Sequence, residues 1–361
     1  MRLFICSTPY HIFNAINIVH SSNTNDKADL FILDYSKECV EIYQSIDKNN
    51  TLFDKVLLIE VKNTFSYINK GKISYMLNAI KKLSNAITKK KINSLLPASN
   101  KYDEIFIGGP DLPSQLIFQY YYNTSKSKLN LIEDGIYTYT IFEKSRNIKK
   151  YISKILYGYY YLDLCESMYI YNPKLIFNPP SSIKLVKIPY IDRNDLQLMG
   201  FYKNYIIRPS EARYEEKIIL FDAAFFNEKD NNKQHELFNN LYNLVDNENI
   251  SLKLHPRTEL NKYRADLKKI SDSQAFEFTT INTSFNDKIL ISIISTACIT
   301  PKLIFNEEPY VIFLFKLFEE SNQKWHYTHK FFENFVNTYS NNKVFIPNNI
   351  KELEDILSRI K

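Results

Sequence analysis

The sequence predicts an α/β protein made of two halves, each a parallel sheet covered by helices. Short apolar runs alternate with helical patterns along the chain, the signature of strands buried on both faces. The alternation breaks between about Asn172 and Glu216, where Pro173, Pro179, Pro180, Pro189 and Pro209 fall, and then restarts. A length of 361 residues suits two domains, at ~100–200 residues each. The linker is expected in the proline-rich interval, dividing the chain into domains 1–195 and 196–361.

The elements follow in order. RLFICS is an apolar run ending in small polar residues, and Pro9 then opens a helical pattern through HIFNAINIVH. DLFILDY and KVLLIEV read as the second and third strands, followed by a Lys-rich helix, YMLNAIKKLSNAITKKKINSLL. YDEIFIGGP is a strand ending in a Gly-Gly-Pro turn, with LPSQLIFQYYYN the helix after it. LNLIEDGIYTY is a strand that runs into a polar turn, and SMYIYNP closes the first half. In the second half KIILFDAAF, ISLKLHP and EPYVIFLF are strands, NKQHELFNNLYNLV and IKELEDILSRI helices, and NDKILISIIST a short helix or strand. The two halves are expected to face each other across a cleft.

Composition narrows the function. With 45% hydrophobic and 24% charged residues the chain is an ordinary globular protein, not a disordered one. Its 46 Lys+Arg against 40 Asp+Glu leave +6, without the basic stripe a nucleic-acid binder needs. So mild an excess suits an acidic small substrate, an anionic membrane surface or simply a solvated, lysine-rich exterior. Cys6, Cys39, Cys165 and Cys298 lie far apart, which disfavours zinc ribbons and thioredoxin-like chemistry. A chain of this size needs no disulfide staples, so a reducing cytoplasm is its expected compartment. MRLFICSTPY lacks the run of ~7–15 apolar residues and the cleavage site of a signal peptide. No window reaches the ~18 apolar residues of a membrane span. The chain is therefore expected not to cross the bilayer on its own.

Ligands of open parallel sheets bind beyond the carboxyl ends of the strands. Five sets of residues stand at such ends: Ser7-Thr8-Pro9-Tyr10, Glu133-Asp134-Gly135, Asp222, His255-Pro256-Arg257 and Ser295-Thr296. A strand-end carboxylate held partly desolvated has the raised pKa of a general base, although Asp134 could equally cap the next helix. Gly135 would permit a backbone bend and close approach of a ligand. His255, fixed by Pro256, can donate to or protonate a leaving phosphate, or be an ordinary strand-end histidine. Ser295-Thr296 can offer hydroxyls and N–H groups to a phosphate, or serve as a plain N-cap. The other five histidines, His11 and His20 in the first helix among them, look structural. No metal-ligand spacing occurs, and the Gly108-Gly109-Pro110 turn lacks the G-x-G-x-x-G and Walker patterns. Without a G-x-S-x-G elbow an α/β hydrolase is disfavoured.

Each motif is weak alone, but their order is informative. LIEDGIYTY, then LKLHPRT, then ISTACIT resembles the bacterial sialyltransferases and polysialyltransferases, which share a (D/E)-(D/E)-G motif, an H-P motif and a short Ser/Thr motif. RLFICSTPYHIFNAINI and SMYIYNPKLI are most like glycosyltransferase family 52. The resemblance implies a GT-B fold, two Rossmann-like domains around a central cleft. It implies acceptor binding by the first domain and binding of the CMP-sialic acid donor by the second. It implies inversion at the anomeric carbon, and no metal or other cofactor. By motif, Glu133 is the candidate base, with Asp222 as the alternative that family 52 suggests. Asp134 would brace the loop by accepting backbone N–H bonds. His255 would contact the CMP phosphate, with Ser295 and Thr296 beside it. Ser7, Thr8, Gly135, Pro256 and Arg257 complete the expected substrate-binding set.

The expected activity is sialyl transfer to a glycan acceptor, lipid-linked in one version, in capsule or lipooligosaccharide synthesis. The expected place is the cytoplasm, with peripheral contact at the inner face of the membrane, a homodimer a further expectation, and no nucleic-acid partner. A GT-B transferase using CDP-glycerol or another activated donor, and a non-catalytic module of capsule assembly, are the competing readings.

Overall fold

The computed structural model describes residues 1–22, 27–61, 96–97, 101–143, 150–151, 154, 159–205, 214–223, 225, 228–245, 249–255, 258, 262–270, 275–318 and 326–360. The Lys-rich helix expected at 75–96 falls almost wholly outside these residues, as do Pro256 and Arg257. The chain forms two compact units.

Unit 1 comprises Met1–Pro189 and Asp195–Ile207. Its sheet holds β1 (Arg2–Cys6), β2 (Ala28–Leu33), β3 (Lys55–Ile59), β4 (Glu104–Ile107), β5 (Lys128–Ile132), β6 (Cys165–Ile170) and β7 (Lys184–Lys187). The order is β3-β2-β1-β4-β5-β6-β7, with every pairing parallel. β1 and β2 are buried along their whole length, which is why RLFIC and ADLFIL read as continuous runs and not as alternation. The helix Pro9–Ser21 follows β1 directly: Pro9 stands at its start and the Thr8 hydroxyl accepts from His11 N–H at 3.2 Å.

Unit 2 comprises Tyr190–Asn194 and Arg208–Lys361. It holds β8 (Ile218–Phe221), β9 (Ile250–Lys253), β10 (Lys268–Ile270), β11 (Ile289–Ser292), β12 (Tyr310–Phe313) and β13 (Val344–Phe345). The order is β10-β9-β8-β11-β12-β13, again all parallel. The segment ILIS, open between helix and strand in the sequence, is the buried strand β11. The closing helix Ile350–Ile360 buries Leu353, Ile356 and Leu357, the i, i+3, i+4 stripe that made it legible.

The proline-rich interval is more structured than its sequence suggests. It contains β7 and the helix Leu196–Tyr205, and that helix packs on unit 1 instead of opening the second domain at residue 196. Tyr202 stacks on Phe13 with ring centroids 4.6 Å apart, and its hydroxyl donates to Phe13 O at 3.1 Å. Prolines before and after the segment, with Gly200 inside it, hid a helix whose stability comes from these tertiary contacts. The helix Lys37–Asn49 is another element not read from the sequence. Only Cys39, Ile42 and Ile46 of it are buried, too sparse a stripe to stand out.

Candidate active site

In unit 1 the strand order reverses at β1, with β2 on one side and β4 on the other. The loops after β1, β4 and β5 therefore meet at the sheet's carboxyl edge, the usual ligand position in such folds. They bring Ser7, Gly108-Gly109 and Glu133-Asp134 together.

Glu133 and Asp134 leave β5 in opposite directions. Glu133 is 0% exposed. Tyr10 OH donates to its Oε1 at 2.9 Å, and its Oε2 accepts from Tyr139 OH at 2.5 Å and Tyr171 N–H at 2.8 Å. Burial pushes its carboxyl up to about 7 in spite of these three donors, which pull it down. The raised pKa expected at this motif is there, but on a carboxylate with no surface toward an acceptor. Asp134 is the accessible one, its side chain 38% exposed, with Oδ1 3.0 Å from His11 Nε2. The expected bracing role is corrected too. Asp134 donates its own N–H to Thr138 Oγ1 at 2.7 Å, and the N-cap of the short helix Ile136–Tyr139 is Gly135. Gly135 sits at φ 60°, ψ −149°, a conformation open only to glycine.

Two neighbours complete the arrangement. His11, which the sequence left as an ordinary helix residue, is 1% exposed, with Ser7 Oγ 3.2 Å from its Nδ1. A methyl group on Gly108 would stand 2.0 Å from His11 Cε1, so this glycine exists to admit the ring. That was the missed signal: a glycine at the end of β4, next to β1, marks something bulky entering from the β1 side. Thr8, expected to touch substrate, spends its hydroxyl on the helix cap.

Glu133 also sets a pH dependence. The unfolded chain releases this proton near the ordinary 4.5, whereas the folded chain holds it to about 7. Between those values the folded state binds more protons, so stability is highest below the window and falls as pH rises through it. The loss should be on the order of 3 kcal/mol. Urea titrations from pH 5 to 8 should show this decline, and Glu133→Gln should flatten it. An equally steep decline in the variant would assign the effect elsewhere.

Unit 2 repeats the layout, its order reversing at β8 between β9 and β11. Asp222 follows β8 and is 4% exposed. It accepts from Gln234 Nε2, from Tyr263 OH at 2.7 Å and from the backbone N–H of His255 at 3.1 Å. As a base for an acceptor it is buried and occupied, which corrects the alternative drawn from family 52. What it does is tie the end of β9 to the end of β8 and so place His255, which is partly exposed. After β11, Ser292 Oγ accepts from Ser295 N–H at 2.8 Å, and Ser295 Oγ accepts from Ala297 N–H at 3.3 Å. Ser295 thus caps the turn Thr296–Cys298, while Thr296 is exposed at the same edge. His255 follows β9 and Ser295-Thr296 follow β11, the two strands that flank β8. Among the described residues no group of three or more His, Cys, Asp or Glu side chains could hold a metal ion.

The model of the alpha-2,8-polysialyltransferase (POLYST) family matches residues 2–312. The chain belongs to that family. It is a glycosyltransferase of the sialyltransferase superfamily, taking a nucleotide-sugar donor and a glycan acceptor. The closer likeness to family 52 read from the opening segment receives no support from this match. No curated protein matches the sialyltransferase chain significantly.

Solved structures share its α/β GT-B fold at low identity. A putative UDP-N-acetylglucosamine 2-epimerase from Listeria monocytogenes is 9% identical, with a TM-score of 0.51 over 99% of this chain and 87% of that one. The spinosyn forosaminyltransferase SpnP is 6% identical, with a TM-score of 0.51 over 99% and 89%. A sialyltransferase from Photobacterium damselae is 14% identical, with a TM-score of 0.47 over 96% of this chain and 100% of its GT-B domain chain. Among the described residues no helix is long and apolar enough to cross a membrane.

Proposed function

We propose that this enzyme moves sialic acid from CMP-sialic acid to a glycan acceptor, with inversion and without a metal ion, in building a bacterial surface polysaccharide. Capsule and lipooligosaccharide are the polymers in question, and the place is the cytoplasm, at the inner face of the membrane. The observation that carries the reading is the carboxyl edge of unit 1. There Asp134, its side chain 38% exposed, follows β5 at the same carboxyl edge, beside the backbone of Gly109.

Asp134 takes the proton of the acceptor hydroxyl as the new bond forms to the anomeric carbon. The bond to the CMP oxygen breaks, and its electron pair leaves with the phosphate. A carboxylate suits this because it also tolerates the positive charge that develops on the sugar. His255 and Thr296 of unit 2 meet the charge building on the leaving phosphate, with the Ser295 turn shaping the contact. A CMP-sugar carries one phosphate, so there is no diphosphate for a cation to bridge.

The test is to incubate the enzyme with CMP-sialic acid and a panel of galactoside and sialoside acceptors, in EDTA, and to measure CMP release. Acceptor-dependent release is the expected result. Release only from CDP-glycerol or another activated donor would replace the donor assignment, and strict dependence on magnesium or manganese would overturn the metal-free mechanism. His255→Ala should cost ~2–4 kcal/mol of transition-state stabilisation, the range for losing one preorganised donor. Retention of half the wild-type turnover would remove His255 from the phosphate site.

A further inference from the structure

We propose that the start of the helix Leu112–Ser125 is a hydroxyl-reading subsite for the glycan acceptor, where Asp111 Oδ2, Ser114 Oγ and Gln115 Oε1 receive the hydroxyl groups of one sugar ring. The proposal rests on the reading that unit 1 receives the glycan, and not on which carboxylate after β5 takes its proton.

Helix geometry puts the three side chains on one face. Ser114 and Gln115 lie three and four residues after Asp111, the spacing at which side chains along a helix are neighbours. Asp111 follows β4 at the carboxyl edge, directly after Gly108-Gly109-Pro110. Burial pushes its carboxyl up, against Ser114, His11 and Tyr35, which pull it down. His11 follows β1, and Tyr35 follows β2 and donates its hydroxyl to Asp111 Oδ1 at 3.3 Å. The subsite therefore spans the ends of β4, β1 and β2, next to the acidic pair that follows β5.

Each of the three side chains carries a buried oxygen with no hydrogen-bond partner among the described residues. Ser114 is 0% exposed and Gln115 5%. Asp111 Oδ1 is spent on Ser114 N–H at 3.0 Å and on Tyr35, so Oδ2 is left over. Gln115 Nε2 donates to Pro110 O at 2.6 Å, which fixes the amide and leaves Oε1 for another group. The Ser114 hydroxyl pulls on the Asp111 carboxyl from nearby but closes no hydrogen bond. Orphaned buried oxygens are costly and rare, and three within one helical turn mark a place fitted to more than the fold. Asp111 and Tyr35 are themselves half-buried, so these oxygens lie just behind residues that meet solvent.

The oxygens left over choose the ligand. A helix N-terminus ordinarily favours an anion. Here Asp111 caps it, Pro113 has no N–H, and those of Ser114 and Gln115 are engaged by Asp111. Carboxylates and phosphates of a glycan are thus turned away, whereas hydroxyl groups can donate to Oδ2 and Oε1. A sugar ring carries several hydroxyls side by side, so one ring can meet more than one of these oxygens.

The experiment compares Asp111→Asn and Ser114→Ala with the wild-type chain in three measurements. These are acceptor and donor KM for CMP release, binding of the same galactosides and sialosides by saturation-transfer NMR without donor, and the urea midpoint. Asparagine keeps the cap, because Ser114 N–H holds its carbonyl, and puts an amide N–H where Oδ2 was. The acceptor KM should rise roughly 3–30-fold in each variant, the range for one lost hydrogen bond, while the donor KM stays within about twofold. The urea midpoint should hold or rise, because an orphaned oxygen stabilises nothing in the free protein. A deoxy sugar that binds the wild type more weakly should bind the matching variant no more weakly than its parent does, which ties one hydroxyl to one oxygen.

The outcomes separate this subsite from the reading beneath it. If both variants bind the sugars as the wild type does, or if the wild type binds none of them, the subsite is wrong whatever happens to turnover. A midpoint that falls in step with the rise in KM would make Asp111 and Ser114 parts of the fold and end the proposal. A rise confined to the donor KM would give these oxygens to the donor sugar and overturn the assignment to the glycan acceptor. If the wild type binds the sugars but releases no CMP with any of them, and the variants lose that binding, the subsite stands and the transferase reading fails instead.

Discussion

Asp134→Asn is expected to lower turnover by ~10²–10⁴-fold, the worth of a general base, while CMP binding stays within a few-fold of wild type. The substitution keeps the shape of the side chain but removes its basicity. Glu133→Gln is the companion measurement. A glutamine fits the same cradle, its carbonyl accepting from Tyr139 and Tyr171 N–H and its amide donating to Tyr10 OH, so turnover should stay within about tenfold. The two variants decide between adjacent residues of one motif. Loss of activity in Glu133→Gln with retention in Asp134→Asn would return the base to Glu133. That would require the carboxyl to leave its three donors during the reaction.

Arg193→Ala should destabilise unit 2 by ~2–4 kcal/mol, a little under the usual cost of orphaning a buried charge because the guanidinium side chain is 27% exposed. Its Nε donates to Ile281 O at 3.0 Å, and Nη2 to Thr280 O at 2.8 Å and Thr283 O at 2.9 Å. Nη1 pairs with Glu307, whose other oxygen accepts from Phe285 N–H at 2.9 Å. The guanidinium also lies over Phe305, 4.0 Å from the ring centroid. Removing it leaves Glu307, 6% exposed, without its cation. Arg193→Lys should recover less than half of the loss, since one ammonium cannot serve three carbonyls and a carboxylate from that position. Urea midpoints at constant slope measure both. A shift worth less than 1 kcal/mol for Arg193→Ala would show the cluster to be ornamental.

The parts of the site legible in the sequence are those that a single strand and its exit define. LNLI followed by Glu133-Asp134-Gly135 marks a strand end with acid and a bend, and Gly135 takes the backbone conformation that only glycine allows. ISLKL before His255, and ILIS before Ser295-Thr296, are strand ends of the same kind. Where reading along the chain failed, the partner lay far away. Asp222 looked like a spare carboxylate until Tyr263 and Gln234 closed on it from other segments. The helix Leu196–Tyr205 was lost among prolines because its reason to form, Tyr202 against Phe13, is a contact between distant stretches.

From its sequence alone this protein has two parallel sheets, the register of acidic, histidine and hydroxyl groups at their carboxyl ends, and membership of the sialyltransferase superfamily. Buried runs, glycine turns and motif order are properties of neighbouring residues, and neighbouring residues suffice to specify them. Tertiary structure alone decided which of two adjacent carboxylates faces outward. Successive side chains leaving a strand point to opposite sides. Glu133 went to the side filled by Tyr10, Tyr139 and Tyr171, and Asp134 to the side where Gly108 lets His11 reach it. No local pattern records which side is filled, because packing is settled by groups that meet only when the sheet is assembled.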